Sequence, residues 1–585
     1  MLETVGLIRS RVSKVNNSRM SGTLPRSIAV ALSFVVLHAP ALTVTSADTD
    51  PSGKIRFIDV APRVRFDYTS NNDFTGRKYF PQPMCGGIIV FDYDNDGRLD
   101  VFFSNGAKMP ELVKIDRSFY NCLLRADGDG TFEDVTTVAG IEGRDLDFTY
   151  GIAAGDYDND GDMDIFFCQT GPNALFRNDG DGTFTDVTKD SGLDTKPKDL
   201  LSVCAAWFDF DNDGRLDLIV SQYTHWSPTT DVRCPLPQGG EFYCSPRIYK
   251  SVPHALYHNE GNGTFRDVTV ISGFGEATDG KGMGIGTADF NNDGLIDVFV
   301  SNDTEPNFLY LNKGDGTFVE EAWMLGVAYN DEGNIVSGMG ADAKDFDNDG
   351  WVDIFYNNLK TQIWALFHNE KGRQFHYVTP AAGIALLSRN FSGWSNGFID
   401  YDNDGWKDIY SSNGDVDYLG ENTKQHDTMF RNIDGAKFED VSESLGADFL
   451  RMGFQRGSAF GDLNDDGFLD LVVTSLNERP RILLNSGGKG GHWLIVGAEG
   501  RRSNRDGIGA KIKVTTASGR VLHNHVTTSA GFMSSPDKRP HFGLGGEGEL
   551  RSVEVRWPSG KIQEFRNVRA DQVLRIVELD ETDGR

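Results

Sequence analysis

One acidic nonapeptide recurs seven times along the chain, and a unit repeated at this interval leaves few architectures open. Numbered from its first acid, each copy has oxygen-bearing side chains at positions 1, 3, 5 and 9 and glycine at position 6. The first three sets are Asp92, Asp94, Asp96 and Asp100; Asp156, Asp158, Asp160 and Asp164; and Asp209, Asp211, Asp213 and Asp217. The fourth and fifth are Asp289, Asn291, Asp293 and Asp297, then Asp345, Asp347, Asp349 and Asp353. The last two are Asp400, Asp402, Asp404 and Asp408, then Asp462, Asn464, Asp466 and Asp470. The glycines are Gly97, Gly161, Gly214, Gly294, Gly350, Gly405 and Gly467.

Oxygen ligands around a sharp glycine turn suit a hard cation, and calcium fits best. It accepts six to eight oxygens with tolerant geometry, whereas magnesium demands a near-ideal octahedron. The four side chains, the carbonyl at position 7 and water would complete the shell. Zinc is disfavoured because the loops hold no Cys or His. A metal-free acidic turn is the alternative, but three or four carboxylates facing one point repel without a cation. Up to seven Ca²⁺ are therefore expected, bound more weakly in loops four and seven, where asparagine replaces one aspartate. An EF-hand is rejected. It needs a bidentate Glu at position 12, where this chain has Phe103, Phe167, Val220, Val300, Tyr356, Ser411 and Val473.

The loops start 53 to 80 residues apart, and two further signals recur between them. One is an L-x-x-N strand ending at Asn178, Asn259, Asn312, Asn369, Asn432 and Asn485, with Ala126 as a variant. The other is a T-F-x-D-V-T strand near Phe132, Phe184, Phe265 and Phe438, with looser copies at Phe318 and Phe375. Gly-rich turns join the two as a hairpin, and their Asp-Gly pairs read as turn chemistry. Each unit is thus four strands, and four-stranded sheets repeated radially make a β-propeller. An extra F-x-D-V strand at Phe57 precedes the first loop, and none follows Asn485. The N-terminal strand is expected to complete the seventh blade. The fold class is all-β, a seven-bladed propeller over residues 55–486 followed by a small β-sandwich or barrel over 487–585.

The net charge of −29 argues against nucleic acid or an anionic membrane as partner. Five loops with four carboxylates and two with three account for 26 of the acids, and seven Ca²⁺ would bring −29 to −15. Arg9, Arg11, Lys14, Arg19 and Arg26 precede an apolar core at residues 28–37 and small-residue cleavage candidates at Ala41 and Ala47. Residues 1–47 therefore read as a signal peptide, with Met20 a possible start and a disordered tail the alternative. The apolar core is too short to span a bilayer. Secretion to the periplasm or outside the cell suits the loops, since extracellular calcium is millimolar. Six cysteines fit an oxidising compartment. Cys234 and Cys244 are the best pair, Cys85 and Cys122 could pair, and Cys168 and Cys204 read as core.

The loops resemble FG-GAP/VCBS repeats of integrin-type propellers. Asn504-Arg-Asp-Gly-Ile-Gly-Ala510, Ser529-Ala-Gly-Phe-Met-Ser534, His541-Phe-Gly-Leu-Gly545 and Val555-Arg-Trp-Pro-Ser-Gly560 resemble the ASPIC/UnbV domain. Together they resemble the cartilage acidic protein family and its secreted bacterial relatives. That resemblance implies calcium at the loops and assigns no catalytic residue; it names an architecture better than a job.

The acidic loops and hairpin turns are expected on one face, with the connections between second and third strands on the other. The longest of those connections, residues 104–120 and 221–253, put Tyr223, His225, Trp226, Tyr243, Tyr249 and His254 on that second face. They are either a binding surface or a self-packed cover for the ring's mouth. Two functions follow. One is a secreted, calcium-stabilised scaffold that binds or adheres to an extracellular protein, glycan or small molecule. The alternative is a calcium-dependent lyase, hydrolase or natural-product cyclase, for which His225 and His254 are acid–base candidates only by their placement on the long loop.

Overall fold

In the computed structural model, strand follows strand through almost the whole described chain, residues 54–579 apart from 129, 238, 417–420 and 489–490. The signal-peptide expectation falls outside the described residues. Seven four-stranded antiparallel sheets form the repeat. Each starts with an inner strand, turns through the acidic loop, and returns along a second strand whose first residue is the position-9 aspartate, as in Thr149–Gly155 and Asp164–Gln169 of blade two. The hairpin of third and fourth strands follows, Ala174–Asn178 and Phe184–Asp186 in that blade. Inner strands are buried on both sides because each is packed between neighbouring blades, even where they carry polar residues such as Asp342, Asn396 and Arg456.

The ring closes as expected. Phe57–Asp59 pairs antiparallel with Arg481–Asn485, with Phe57 opposite Asn485 and Asp59 opposite Leu483, and so supplies the outer strand of blade seven.

The third-strand asparagine clamps blade to blade. Asn178 Nδ2 donates to Tyr93 O in the preceding blade (2.7 Å), and the same bond runs from Asn259 to Tyr157, Asn312 to Phe210 and Asn369 to Phe290. Asn432 reaches Phe346, and Asn485 reaches Tyr401. Blade one has Ala126 at this position, so the clamp is missing between blades one and seven.

After Asn485, two further sheets form a small sandwich. One has His492–Glu499 between His541–Gly545 and Gln572–Val577. The other runs Val521–His525, Lys511–Thr516, Glu549–Arg556, Ile562–Arg569. Leu494, Val496, Ile512, Val514, Val553 and Trp557 fill the space between. Three of these strands, at 521, 541 and 562, are not evident in the sequence, because their residues are largely polar or glycine.

This second region does more than lie beside the ring. Its segment 527–537 enters the central channel and bonds to the inner strand of every blade. Ser535 N donates to Ile88 O in blade one, and Ile152 N in blade two donates to Met533 O. Met533 N meets Cys204 Sγ in blade three (3.2 Å), and Ser529 Oγ donates to Ile285 O in blade four (2.6 Å). Gly531 pairs with Ala341 in blade five, Phe532 N donates to Ser395 Oγ in blade six (3.0 Å), and Asp537 N donates to Phe460 O in blade seven. Phe532 and Met533 are fully buried in the largest core cluster. The channel is filled, not open.

The opposite mouth is covered too. Phe80 packs on Tyr249 and Tyr223 (ring centroids 4.4 and 5.7 Å), and Tyr223 and Trp226 are buried. The aromatic residues of the 221–253 connection are therefore a self-packed cover. Cys234–Cys244 is a disulfide, whereas Cys85 and Cys122 are unpaired. Cys85 accepts Ser70 Oγ and packs with Phe80 and Met84, while Cys122 lies in a different cluster with Val101 and Leu124. Cys168 and Cys204 are core residues as expected.

Candidate metal centres on one face of the ring

The nonapeptide dictates its own shape. Position 4 (Asn95, Asn159, Asn212, Asn292, Asn348, Asn403 or Asp465) sits at φ between 56° and 60°, a left-handed region that Asn and Asp tolerate best after glycine. Position 6 reaches φ 85–105°, which requires glycine. The turn folds the backbone amides onto the carboxylates. In blade two, Asp160 N and Gly161 N donate to the two oxygens of Asp156 (3.0 and 2.9 Å). Asp160 N also reaches Asp158 Oδ1 (3.3 Å), and Asp162 N donates to Asp160 Oδ1 (2.9 Å). Asp164 accepts from Tyr157 N and from Asn178 N on the third strand (3.1 and 2.8 Å).

The same pattern places position 9 of every loop, from Asp100 to Asp470, where it accepts the position-2 amide. Oxygens of Asp156, Asp158 and Asp164 lie within 4.8 Å of one another, as do those of Asp209, Asp211 and Asp217 and those of Asp92, Asp94 and Asp96.

Such clusters are electrostatically unfavourable on their own. Burial pushes Asp100 and Asp156 up to about 8, and Asp209, Asp345 and Asp462 to about 7, with neighbouring loop carboxylates raising them further. Asp164, Asp217, Asp297, Asp353, Asp408 and Asp470 are raised well above the carboxylate range for the same reasons. Buried, convergent, all-oxygen donors that resist ionising together are the donor set a hard divalent cation completes. Carboxylates at positions 1, 3, 5 and 9 could hold such a cation, and calcium would suit their oxygen donors.

Sequence reasoning missed a residue of these sites. The position before the third-strand asparagine is Arg125, Arg177, His258, His368 and Arg431 in blades one, two, three, five and six, and Leu311 and Leu484 in blades four and seven. Those last two blades are the ones whose loops carry Asn291 and Asn464. Arg431 donates to Asp402 and Asp404 (2.8 and 2.9 Å), His258 Nε2 is 3.2 Å from Asp211, and His368 Nε2 is 3.1 Å from Asp347. A basic residue stands at this position where position 3 is charged and is absent where it is neutral, although Arg125 pairs with Glu133 and Arg177 with Asp179 rather than with the loop. The signal was the internal covariation of the repeats. In blades three and five, a histidine therefore joins the carboxylates from outside the loop, so the exclusion of zinc by donor type holds for the other five loops.

The loops are linked to one another. The position-4 side chain donates to the position-6 carbonyl of the next blade: Asn95 to Gly161, Asn159 to Gly214, Asn212 to Gly294, Asn292 to Gly350, Asn348 to Gly405 and Asn403 to Gly467 (2.8–3.4 Å). Asp465 has no such donor, so the chain of bonds is open between blades seven and one.

The C-terminal sandwich docks on this same face. Arg505 binds Asn159 and Asp160 O (both 2.8 Å), and Lys511 pairs with Asp289 (2.7 Å). His523 N donates to Asn348 Oδ1 (3.2 Å), Gly545 N to Asn403 O (2.7 Å), and His541 Nε2 meets Gly467 O (3.0 Å).

The two histidines considered for acid–base work sit in different settings. His254 is fully buried, held down to about 4 by that burial, with Nδ1 accepting Gln222 N (3.2 Å). His225 is a surface residue 3.1 Å from Asp199.

Residues 92–167, 156–220, 251–300, 289–356 and 345–411 match the FG-GAP-like repeat model, and residues 500–583 match the ASPIC and UnbV model. Cartilage acidic protein 1 of Homo sapiens is 25% identical over 543 residues, covering 88% of this chain and 73% of the relative. Its Xenopus tropicalis counterpart is 27% identical over 547 residues, covering 88% and 75%. Among solved structures, the BP39L lectin from Burkholderia pseudomallei matches with TM-score 0.40 at 9% identity, covering 69% of this chain and 97% of the lectin. A lectin of Agrocybe aegerita that recognises non-reducing terminal N-acetylglucosamine matches with TM-score 0.38 at 15% identity, covering 72% and 88%.

Proposed function

From the premise that the chain is an FG-GAP-repeat propeller with a C-terminal ASPIC and UnbV domain, homologous to cartilage acidic protein 1, we propose that it is a secreted binding scaffold braced by calcium. The observation that carries this reading is the double engagement of the acidic loops. Each clusters carboxylates that a cation would neutralise, six bond to the next loop, and those of blades two, four, five, six and seven hold the C-terminal sandwich. Calcium in these loops would set the shape of the whole face. The Cys234–Cys244 disulfide supports an oxidising compartment, and no helix among the described residues is long and apolar enough to cross a membrane.

The ligand is expected on the opposite face. There the segment around Asp73–Arg77 is tied to the blade-one connection by Lys108–Asp73 (3.0 Å) and to the disulfide-clamped insert by Arg77–Asp231 (2.8 Å). Together these three segments present Phe74, Val113, Ile115, Val232 and Ile248, each between 44% and 59% exposed. Exposed apolar groups gathered on one surface suit recognition of another molecule.

Melting the purified protein with calcium and with EGTA tests the brace. A site held at a hundred times its Kd contributes about 2.7 kcal/mol, so several occupied loops would lower stability by more than about 5 kcal/mol on chelation. An unchanged melting temperature would contradict the reading. For recognition, Ile115→Asp is expected to abolish binding on glycan and extracellular-protein arrays while melting stays constant. Binding that survives this change places the ligand elsewhere.

A further inference from the structure

Blades five and six break the repeat where the other blades keep it. Immediately before position 1 the other six carry Phe91, Gly155, Phe208, Ala288, Ile399 and Gly461, but blade five carries Lys344. At position 8 the others carry Leu99, Met163, Leu216, Ile296, Val352 and Leu469, but blade six carries Lys407. Two positions that build apolar core in every other blade therefore hold ammonium groups, and both are buried.

These charges lack carboxylate partners at ion-pair distance among the described residues. Lys344 Nζ donates to His525 O (3.1 Å). Lys407 Nζ donates to Asp345 O (2.7 Å) and His523 O (2.8 Å) and approaches Asn348 Oδ1 (3.5 Å), all neutral acceptors. Asp342 acts on Lys344, and Asp345 and Asp400 on Lys407, only through space, and burying an ammonium without a direct ion-pair partner is costly to a fold.

Both lysines line one cavity of about 50 Å³ between the ring and the C-terminal sandwich. That is several times the 10–15 Å³ or so that one water needs by this measure. His525 and His541 line it as well, and His525 Nε2 and His541 Nδ1 have no hydrogen-bond partner. The acids of the wall are already engaged. Asp537 accepts from Arg539 (2.8 Å), and Asp400 accepts from Asp404 N and Gly405 N (3.1 and 2.8 Å). Burial and then Lys344, Lys511 and Lys407 hold His525 in its neutral form.

We propose that this cavity binds a small oxyanion between Lys344 and Lys407, either a free inorganic anion or the carboxylate of an organic ligand. Charge-assisted hydrogen bonds from the two ammonium groups would hold it. Neutral histidine rings and a wall shared by two domains would restrict its size. The inference goes beyond the scaffold reading and stands without it.

Calorimetric titration of the full chain with sodium sulfate and with sodium acetate at constant ionic strength, in calcium and in EGTA, tests it. One anion is expected per chain; sulfate as the tighter probe identifies an inorganic site, and acetate a carboxylate site. Lys344→Ala and Lys407→Leu install residues that other blades carry at these positions. Each is expected to weaken binding at least tenfold and, in anion-free buffer, to melt above the parent because a buried charge has gone. Absence of binding by either probe, or variants that bind like the parent, would overturn the proposal. Should a variant fail to fold, crystals of the parent protein soaked in selenate and in acetate decide. Density on Lys344 Nζ and Lys407 Nζ supports the site, and an empty cavity in both soaks refutes it.

Discussion

Two side chains interrupt the bonds that repeat around the ring. Asp465 stands where six loops have an asparagine that donates to the next blade, and Ala126 stands where six third strands have an asparagine that clamps the preceding one. Both departures fall between blades seven and one, where Phe57–Asp59 closes the ring instead. Asp465→Asn would restore a donor toward Gly97 O and is expected to stabilise the protein by about 1 kcal/mol, seen as a small rise in melting temperature. Asn312→Ala removes the donor to Phe210 O and Ile296 O, both buried, and is expected to cost about 3 kcal/mol. Denaturant melts would measure both. The motif carrying these asparagines was legible in the sequence, Ala126 included. Their role was not, because Asn178 and its partner Tyr93 lie 85 residues apart.

At the scale of the loop, acidity and cation binding oppose each other, and the sign of the pH dependence reports which one governs. Without calcium, Asp100 and Asp156, pushed to about 8, and Asp209, Asp345 and Asp462, pushed to about 7, hold protons that the unfolded chain releases near pH 4. Their folded pKa is raised, so this contribution is full below about pH 4 and drains away as pH rises through 7–8. His254, His523 and His541, held down to about 4 chiefly by burial, act in the opposite sense, but only below about pH 6.5. From pH 6.5 to 8 the chelated protein is therefore expected to melt at falling temperature. Calcium selects the deprotonated ligands, so in its presence the slope should flatten or reverse. Parallel slopes with and without calcium would contradict the ligand assignment. The loop itself was fully readable, since its nine residues form a contiguous motif. The backing Arg431, His258 and His368 were not, because a strand pairing brings them to the loop.

At the scale of the molecule, the C-terminal domain is the axle of the propeller. One eleven-residue segment touches all seven inner strands, and its Phe532 packs on Trp394 (5.2 Å between ring centroids). Gly531 has φ +74°, and a Cβ there would lie 2.2 Å from Ser395 Oγ. Gly531→Val is thus expected to expel the segment, lowering stability by about 3 kcal/mol or more and exposing the sandwich linkage to limited proteolysis. The sequence showed seven blades and their closure because repeats and their phase are local signals. It did not show the filled channel, since Ser529–Ser534 is short and sets Phe532 and Met533 among small residues, with nothing periodic to mark burial. The aromatic insert left two readings open for a related reason. Tyr223 and Trp226 in a long connection look available until Phe80, from far upstream, packs over Tyr223 and Trp226 turns inward.

Calcium titration of the chelated, full-length protein tests the central claim most directly, since ring, loops and docked domain would all depend on the same ions. The predicted result is up to seven calcium ions per chain, those of loops four and seven weakest, with the melting temperature climbing as the sites fill. Binding of no calcium, or binding that leaves the melting temperature where chelation put it, would contradict the account.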